Sequence, residues 1–400
     1  MPDQIPALAR LVAEAGINAA ADQIIVVSAT LGQEQLARAI AGACYDLGAR
    51  YVEVNYSDPY VRKVRLTRAP ESALGTIPDW TRRKVLDIEE ADGASIALTG
   101  PVAPRLLDDV DPGRIGRDQV AIPETMEVIG RQRLRWSIIP GPSEGWAKLV
   151  FGDDEPDALD RLWEAIGTIC RLDADDPVKA WRERGDELGE TAQRLNRAQL
   201  DSLHFTGPGT DLTVGLLDGA RWEGGGMTSA DGIGYLPNIP TEEVFTSPDP
   251  ERTHGIVAST KPLLVSGSTI SGLRMRFEGG RAVQVDADQG AELMRELVAR
   301  DENANRLGEV ALVDSSGRIG RSGLVFHDTL LDENAASHIA VGGGFPHLTA
   351  DEQTSARVNT SGIHTDFMIG DPELTVTGTT RDGHEIPVLM HQDWALSPCQ

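Results

Sequence analysis

Cysteine is nearly absent from this 400-residue chain: Cys44, Cys170 and Cys399 are odd in number, far apart, and form no CxxC. That excludes a disulfide framework and a zinc ribbon and suits a reducing compartment. Basic charge is also short, with Lys+Arg 37 against Asp+Glu 62 and a net charge of -25. Such a chain repels phosphate backbones and anionic lipid, so neither nucleic acid nor a membrane surface is expected as a partner. No run of about 18 apolar residues exists to span a bilayer. The opening MPDQIPALARLVAEAG has no continuous apolar core of a signal peptide, so a cytoplasmic location is expected. Common catalytic fingerprints are missing too: no HExxH, no P-loop, and no GxGxxG between a strand and a helix.

Histidine is missing from the first half. All eight histidines (His204, His254, His327, His338, His347, His364, His384, His391) follow residue 200, whereas Tyr235 is the single tyrosine beyond Tyr60. Any imidazole chemistry therefore belongs to the C-terminal half.

What is present reads first as alternating β and α. Residues 23–29 (QIIVVSA) form a β-branched run, 33–47 place Leu36, Ile40, Ala43 and Leu47 at helical spacing, and 50–55 alternate as a second strand. Further units follow: a helix over about 80–91, a strand at 94–99, a helix over about 118–131 and a strand at 134–139. Residues 156–199 are charged and helical, with Pro177 separating two helices. From residue 200 the texture changes. Residues 203–217 alternate about a Gly-Pro-Gly turn and 272–287 turn at Gly279-Gly280, two hairpin signals. Residues 324–330 (LVFHDTL) read as a strand, and helices remain near 289–299 and 333–340. The expectation is an α/β N-terminal domain with βαβ units (1–200) and an α+β C-terminal domain with mainly antiparallel strands (201–400).

One GxSxG occurs, Gly141-Pro142-Ser143-Glu144-Gly145. It suits either a nucleophile elbow or a loop in which Ser143 caps the next helix. The sequence Ile363-His364-Thr365-Asp366-Phe367 is denser in chemistry. On a strand, His364 and Asp366 share one face, and an imidazole beside a carboxylate is a common pair of metal ligands or a surface ion pair. Asp332 looks like an N-cap with Ala335-Ala336 helical behind it, which puts His338 near the second turn of a helix. Glu309 stands at the mouth of the apolar strand 307–313. Glu242 and Glu243 are adjacent in an extended segment, so at most one faces a given site. Together, Glu, Glu, His, His and Asp from four segments suit two divalent cations better than one structural zinc.

The segments PGPSEGWAKLVF (140–151), LHFTGPGTDLTVGL (203–216), NIPTEEVFTSP (238–248), RLGEVALV (306–313), GLVFHDTLLDENAASHIAVG (323–342) and HTDFMIG (364–370) resemble peptidase family M29, the thermophilic-type metallo-aminopeptidases. The likeness runs along nearly the whole chain. It implies a C-terminal domain with a dinuclear metal centre, a homodimer, and metal ligands at Glu243, Glu309, His338, His364 and Asp366. Zinc, cobalt, manganese or magnesium all fit such ligands. The implied activity is removal of N-terminal residues from a peptide or small amide by metal-activated water. Analogy with other dinuclear aminopeptidases makes Glu242 the general base. One position departs from the family: the functional tyrosine seven residues beyond the first ligand histidine is here Phe345. Tyr235, His347 or a backbone amide then remains as the donor to an oxyanion. Two alternatives stay open. One is a specialised or catalytically altered member, down to a pseudo-enzyme. The other is a ring-cleaving dioxygenase, in which His338, His364 and Asp366 hold non-haem iron.

Overall fold

The computed structural model describes residues 4–118, 122–265 and 267–396. The chain divides into two compact units. The first runs to Gly185 and takes in Gly226–Thr241 and Leu324–Leu331; the second comprises Asp186–Gly225, Glu242–Gly323 and the chain from Asp332.

The first unit is built on a four-stranded parallel sheet, in the order Tyr51–Ser57, Ile24–Thr30, Ala94–Thr99, Arg135–Pro140. Ile25, Val26 and Val27 of the central strand are buried, as a strand covered on both faces requires. The helix Glu34–Asp46 turns Leu36, Ala37, Ile40 and Cys44 inward. Gln33 ties the carboxyl ends of three strands together. Its Oε1 accepts from Thr30 N at 2.9 Å, and its Nε2 donates to the carbonyls of Thr99 (2.7 Å) and Gly141 (2.9 Å). The helices Ala158–Ile169 and Pro177–Ala198 stand where the sequence places them, with Pro177 opening the second, whose residues from Asp186 belong to the second unit.

Two expectations in this unit are corrected. The helix read over about 118–131 is shorter, Pro123–Gly130, and a separate helix, Pro112–Asp118, comes before it, with residues 119–121 outside the described residues. Proline lacks the N–H that an interior helical position needs, so Pro123 begins a helix instead of continuing one. The segment 324–330 joins no sheet: Phe326 accepts the Trp146 indole N–H at 2.6 Å, and Asp328 accepts from Thr99 Oγ1 (3.2 Å) and Gly100 N (3.0 Å). Of the two readings of Ser143, the cap holds. Its φ of -138° is relaxed extended backbone, and its hydroxyl accepts from Trp146 N at 3.2 Å to start the helix Glu144–Phe151.

The second unit contains antiparallel sheets. One has eight strands, including the hairpin Leu200–Gly207/Thr210–Leu216 and the hairpin Arg274–Glu278/Arg281–Asp286. Gly279 and Gly280 turn the latter at φ of 55° and 79°, a region open to glycine at little cost. The other sheet has five strands in the order His364–Met368, His338–Gly342, Leu307–Val313, Glu243–Thr246, Glu223–Gly224. Every residue of Leu307–Val313 and His338–Gly342 is buried. Cys44 and Cys170 are free and buried; Cys399 lies outside the described residues. Among the described residues no helix is long and apolar enough to cross a membrane.

Candidate metal centre

The five-stranded sheet collects the acidic and imidazole side chains on one face. Residues directly opposite in antiparallel strands share a face. The register sets Ala311 opposite His338, Ala340 opposite both Glu309 and Asp366, and Gly342 opposite His364. Glu243 stands opposite Val313 on the next strand, with the same parity as Ala311. Thus Glu243, Glu309, His338, His364 and Asp366 project to the same side. Four of the five face an alanine or glycine across the strand, which leaves room between them.

His338 requires a correction. It does not end a helix but begins the strand His338–Gly342, and the short helix before it is Thr329–Glu333. Asp332 lies inside that helix and is not its N-cap. The run His-Ile-Ala-Val-Gly is buried between two strands, and that burial outweighs the local helical preference of Ala335-Ala336.

The side chains meet in three overlapping groups, each with donor atoms within 4.8 Å of one another: Glu243, Glu309 and His338; Glu309, His364 and Asp366; Glu333, His338 and Asp366. His338 Nδ1 donates to the Ala336 carbonyl (3.1 Å) and His364 Nδ1 to the Gly343 carbonyl (2.7 Å). A carbonyl only accepts, so each Nδ1 carries a hydrogen, and each ring turns its Nε2 inward. His338 Nε2 then lies 3.0 Å from Glu243 Oε2. His364 Nε2 lies 3.0 Å from Glu309 Oε2 and 3.3 Å from Asp366 Oδ1. Glu243 Oε2 and Asp366 Oδ1 are buried without a hydrogen-bond partner. An imidazole nitrogen this close to a buried carboxylate oxygen needs a proton or a cation between them.

The electrostatics agree. Burial, then Asp366 and Glu243, push Glu309 up to about 7 against the pull of His364. Burial, with Asp366 and Glu243, also drives Glu333 well above the ordinary range. Burial alone depresses His338 and His364, but the carboxylates outweigh it and raise both well above the usual imidazole value. Asp366 goes the other way, lowered by His364 in spite of burial. Imidazoles and carboxylates this close compete for the same protons. The donor set of carboxylate oxygens and imidazole nitrogens suits divalent cations in their place.

Three other residues named from the sequence fall differently. Glu242 is 1% exposed, its amide held by Asn334 Oδ1 at 2.7 Å and its carboxyl carbon beside Gly317, and it belongs to none of the three donor groups. Phe345 stands over the cluster: its ring centroid is 5.5 Å from that of His364 and 5.2 Å from that of Phe245, and Ser247 Oγ accepts from its amide at 2.7 Å. Tyr235 is buried in the first unit, its hydroxyl 3.6 Å from the Met227 sulfur. Glu333 was missed in the sequence. Only a chain reversal between Glu333 and His338 brings it to the site, and no periodicity marks that turn.

A sheet face carrying carboxylates and imidazoles for divalent cations defines a metallohydrolase-like centre. The family described as thermophilic metalloprotease (M29) matches residues 1–394, and the chain belongs to it, a family of enzymes that hydrolyse peptide bonds. The chain is 40% identical to aminopeptidase T of Thermus aquaticus, over 97% of this chain and 98% of that one. It is 38% identical to aminopeptidase 2 of Geobacillus stearothermophilus, over 97% of each. The solved structure of wild-type AmpT from Thermus thermophilus matches with a TM-score of 0.88 and 38% identity, covering 98% of each chain.

Proposed function

We propose that this protein is an aminopeptidase that removes N-terminal residues from peptides at a centre of two divalent cations. Glu243, Glu309, His338, His364 and Asp366 would hold the metals, with Glu333 as a sixth donor. The observation that carries this reading is the inward-facing Nε2 atoms of His338 and His364, each opposed by a carboxylate oxygen at 3.0 Å. Charge supports the number of ions. The donor groups contain four carboxylates, Glu243, Glu309, Glu333 and Asp366, a formal −4 beside neutral imidazoles that two dications cancel. The same excess of carboxylate speaks against a mononuclear iron site of two histidines and one carboxylate. Divalent cations bound here would supply Lewis acidity and an activated water at neutral pH.

The chain's own groups do the rest. The Ala336 and Gly343 carbonyls fix the imidazole tautomers and ring planes. Phe345 and Phe245 form an apolar edge beside His364 that excludes water. Glu242 is assigned as general base by analogy with other dinuclear aminopeptidases; Asn334 fixes its backbone. We further infer a homodimer, a cytoplasmic location that suits the free Cys44 and Cys170, and a functional division into an α/β domain (1–200) and a catalytic domain (201–400). Metal analysis with an amino-acid p-nitroanilide screen tests the reading. Two metal equivalents and turnover are expected, and Glu242→Gln should lose kcat with its metal intact. Bound metal with no hydrolysis of any α-aminoacyl amide would overturn it.

A further inference from the structure

The amino-terminal edge of the parallel sheet opens onto a cleft of about 680 Å³, within the range of roughly 300–1,000 Å³ common for small-molecule sites. The residues that precede the strands wall it, Ala20 to Gln23, Arg50, Ala91 to Gly93 and Arg133, together with Ala230, Asp231 and Ile233. Gln23 braces two of these walls, accepting from Ala20 N at 3.1 Å and donating to the Asp92 carbonyl at 3.0 Å. Arg50 lies 3.7 Å from Asp22 and Arg133 3.4 Å from Asp92, both as exposed pairs.

Arg135 is unlike them. It lines the cleft yet is 6% exposed, and its Nη1 is buried without a hydrogen-bond partner. A guanidinium taken out of water without a paired anion is costly, so an anion is owed to it. Asp231 also lines the cleft. Ser229 Oγ, above all, holds its carboxylate below the usual range, with Arg135 a weaker influence. Among the described residues no ion pair joins Arg135 to Asp231. Both charges line the same cleft. A plain anion would be repelled by Asp22, Asp92 and Asp231, and a plain cation by three arginines. A ligand carrying both charges a short distance apart satisfies the site.

We propose that this cleft binds a free α-amino acid, its carboxylate on the Arg135 guanidinium and its ammonium on Asp231. The site is built wholly within the first unit and does not depend on the metal centre. If the aminopeptidase reading holds, the ligand is of the same class as the product released there.

The test is calorimetric titration of the full-length protein with glycine and leucine, beside acetate, phosphate and glycinamide. Both amino acids should bind, and each single-charge compound should bind at least about tenfold more weakly, since a guanidinium–carboxylate fork and an ammonium–carboxylate pair act together. Arg135→Gln and Asp231→Asn should each weaken amino-acid binding by about tenfold or more. The exposed Asp231 keeps the test open if Arg135→Gln fails to fold. An amino acid held at the metal centre would be untouched by Asp231→Asn, so unchanged affinity in that variant overturns the assignment. Acetate or phosphate binding as tightly as glycine would overturn it as well, leaving a simple anion site. So would no binding up to about 10 mM.

Discussion

Gly308, the residue before Glu309, offers a sharp test of how the site is held. A methyl group on its Cα would stand 2.2 Å from the Gly342 carbonyl oxygen and 2.4 Å from that of Gly343. Carbon–oxygen contacts normally begin at about 3.3 Å, so Gly308→Ala forces a shift of about one ångström. Both obstacles are backbone, so no rotamer relieves them. The Gly343 carbonyl is the acceptor that orients His364 through Nδ1 at 2.7 Å. Displacing it frees the imidazole whose Nε2 faces Glu309 and Asp366. Loss of such an orienting contact costs about 10–100-fold in metal affinity, or about 1.4–2.7 kcal/mol. Overpacking takes a further 1–3 kcal/mol or so from stability. Chelator competition reads the first effect and calorimetric unfolding the second. Gly189 is the control: nothing lies within 4 Å of where its Cβ would stand in the helix Pro177–Ala198. Gly189→Ala should therefore stabilise by about 0.5–1 kcal/mol. Gly308→Ala binding metal as tightly as the parent would refute the orienting role of Gly343.

His364→Ala and Asp366→Ala should each lower metal occupancy, measured by elemental analysis after dialysis; full occupancy in both would remove this strand from the site. Phe345→Tyr places a phenol on the ring 5.5 Å from His364. If an oxyanion donor is what the site lacks, kcat on amino-acid p-nitroanilides should rise about tenfold or more with KM changing less; a neutral or harmful effect would show that another group already donates. Ser143→Ala should cost roughly 0.5–2 kcal/mol through the lost helix cap and leave the rate unchanged. A lost rate at unchanged Tm would restore the nucleophile reading.

Local pattern was enough for the elements whose burial it encodes. The strand Ala94–Thr99 falls on the residues where the sequence places it, and the hairpins turn where glycine pairs or Gly-Pro-Gly permit. His364 and Asp366 share a face because a strand repeats every two residues, a fact of backbone geometry that needs no neighbour. The GxSxG serine shows the limit of a motif: the same five letters serve a relaxed cap, and only backbone angles tell the two apart.

What tertiary structure decided was the company each segment keeps. His338 sits on a strand because Leu307–Val313 and His364–Met368 flank it and bury it, a non-local gain larger than the helical preference of two alanines. Glu333 enters the site through a reversal of the chain, and Phe345 lies over His364 because Ser247, far off in sequence, holds its amide. Composition alone made the chemistry acidic and put every histidine in the second half. Which donor atoms face which was decided by strand register, where alanines and a glycine opposite the ligands leave the space between them. Register is set by pairing between distant segments, and no single segment carries it.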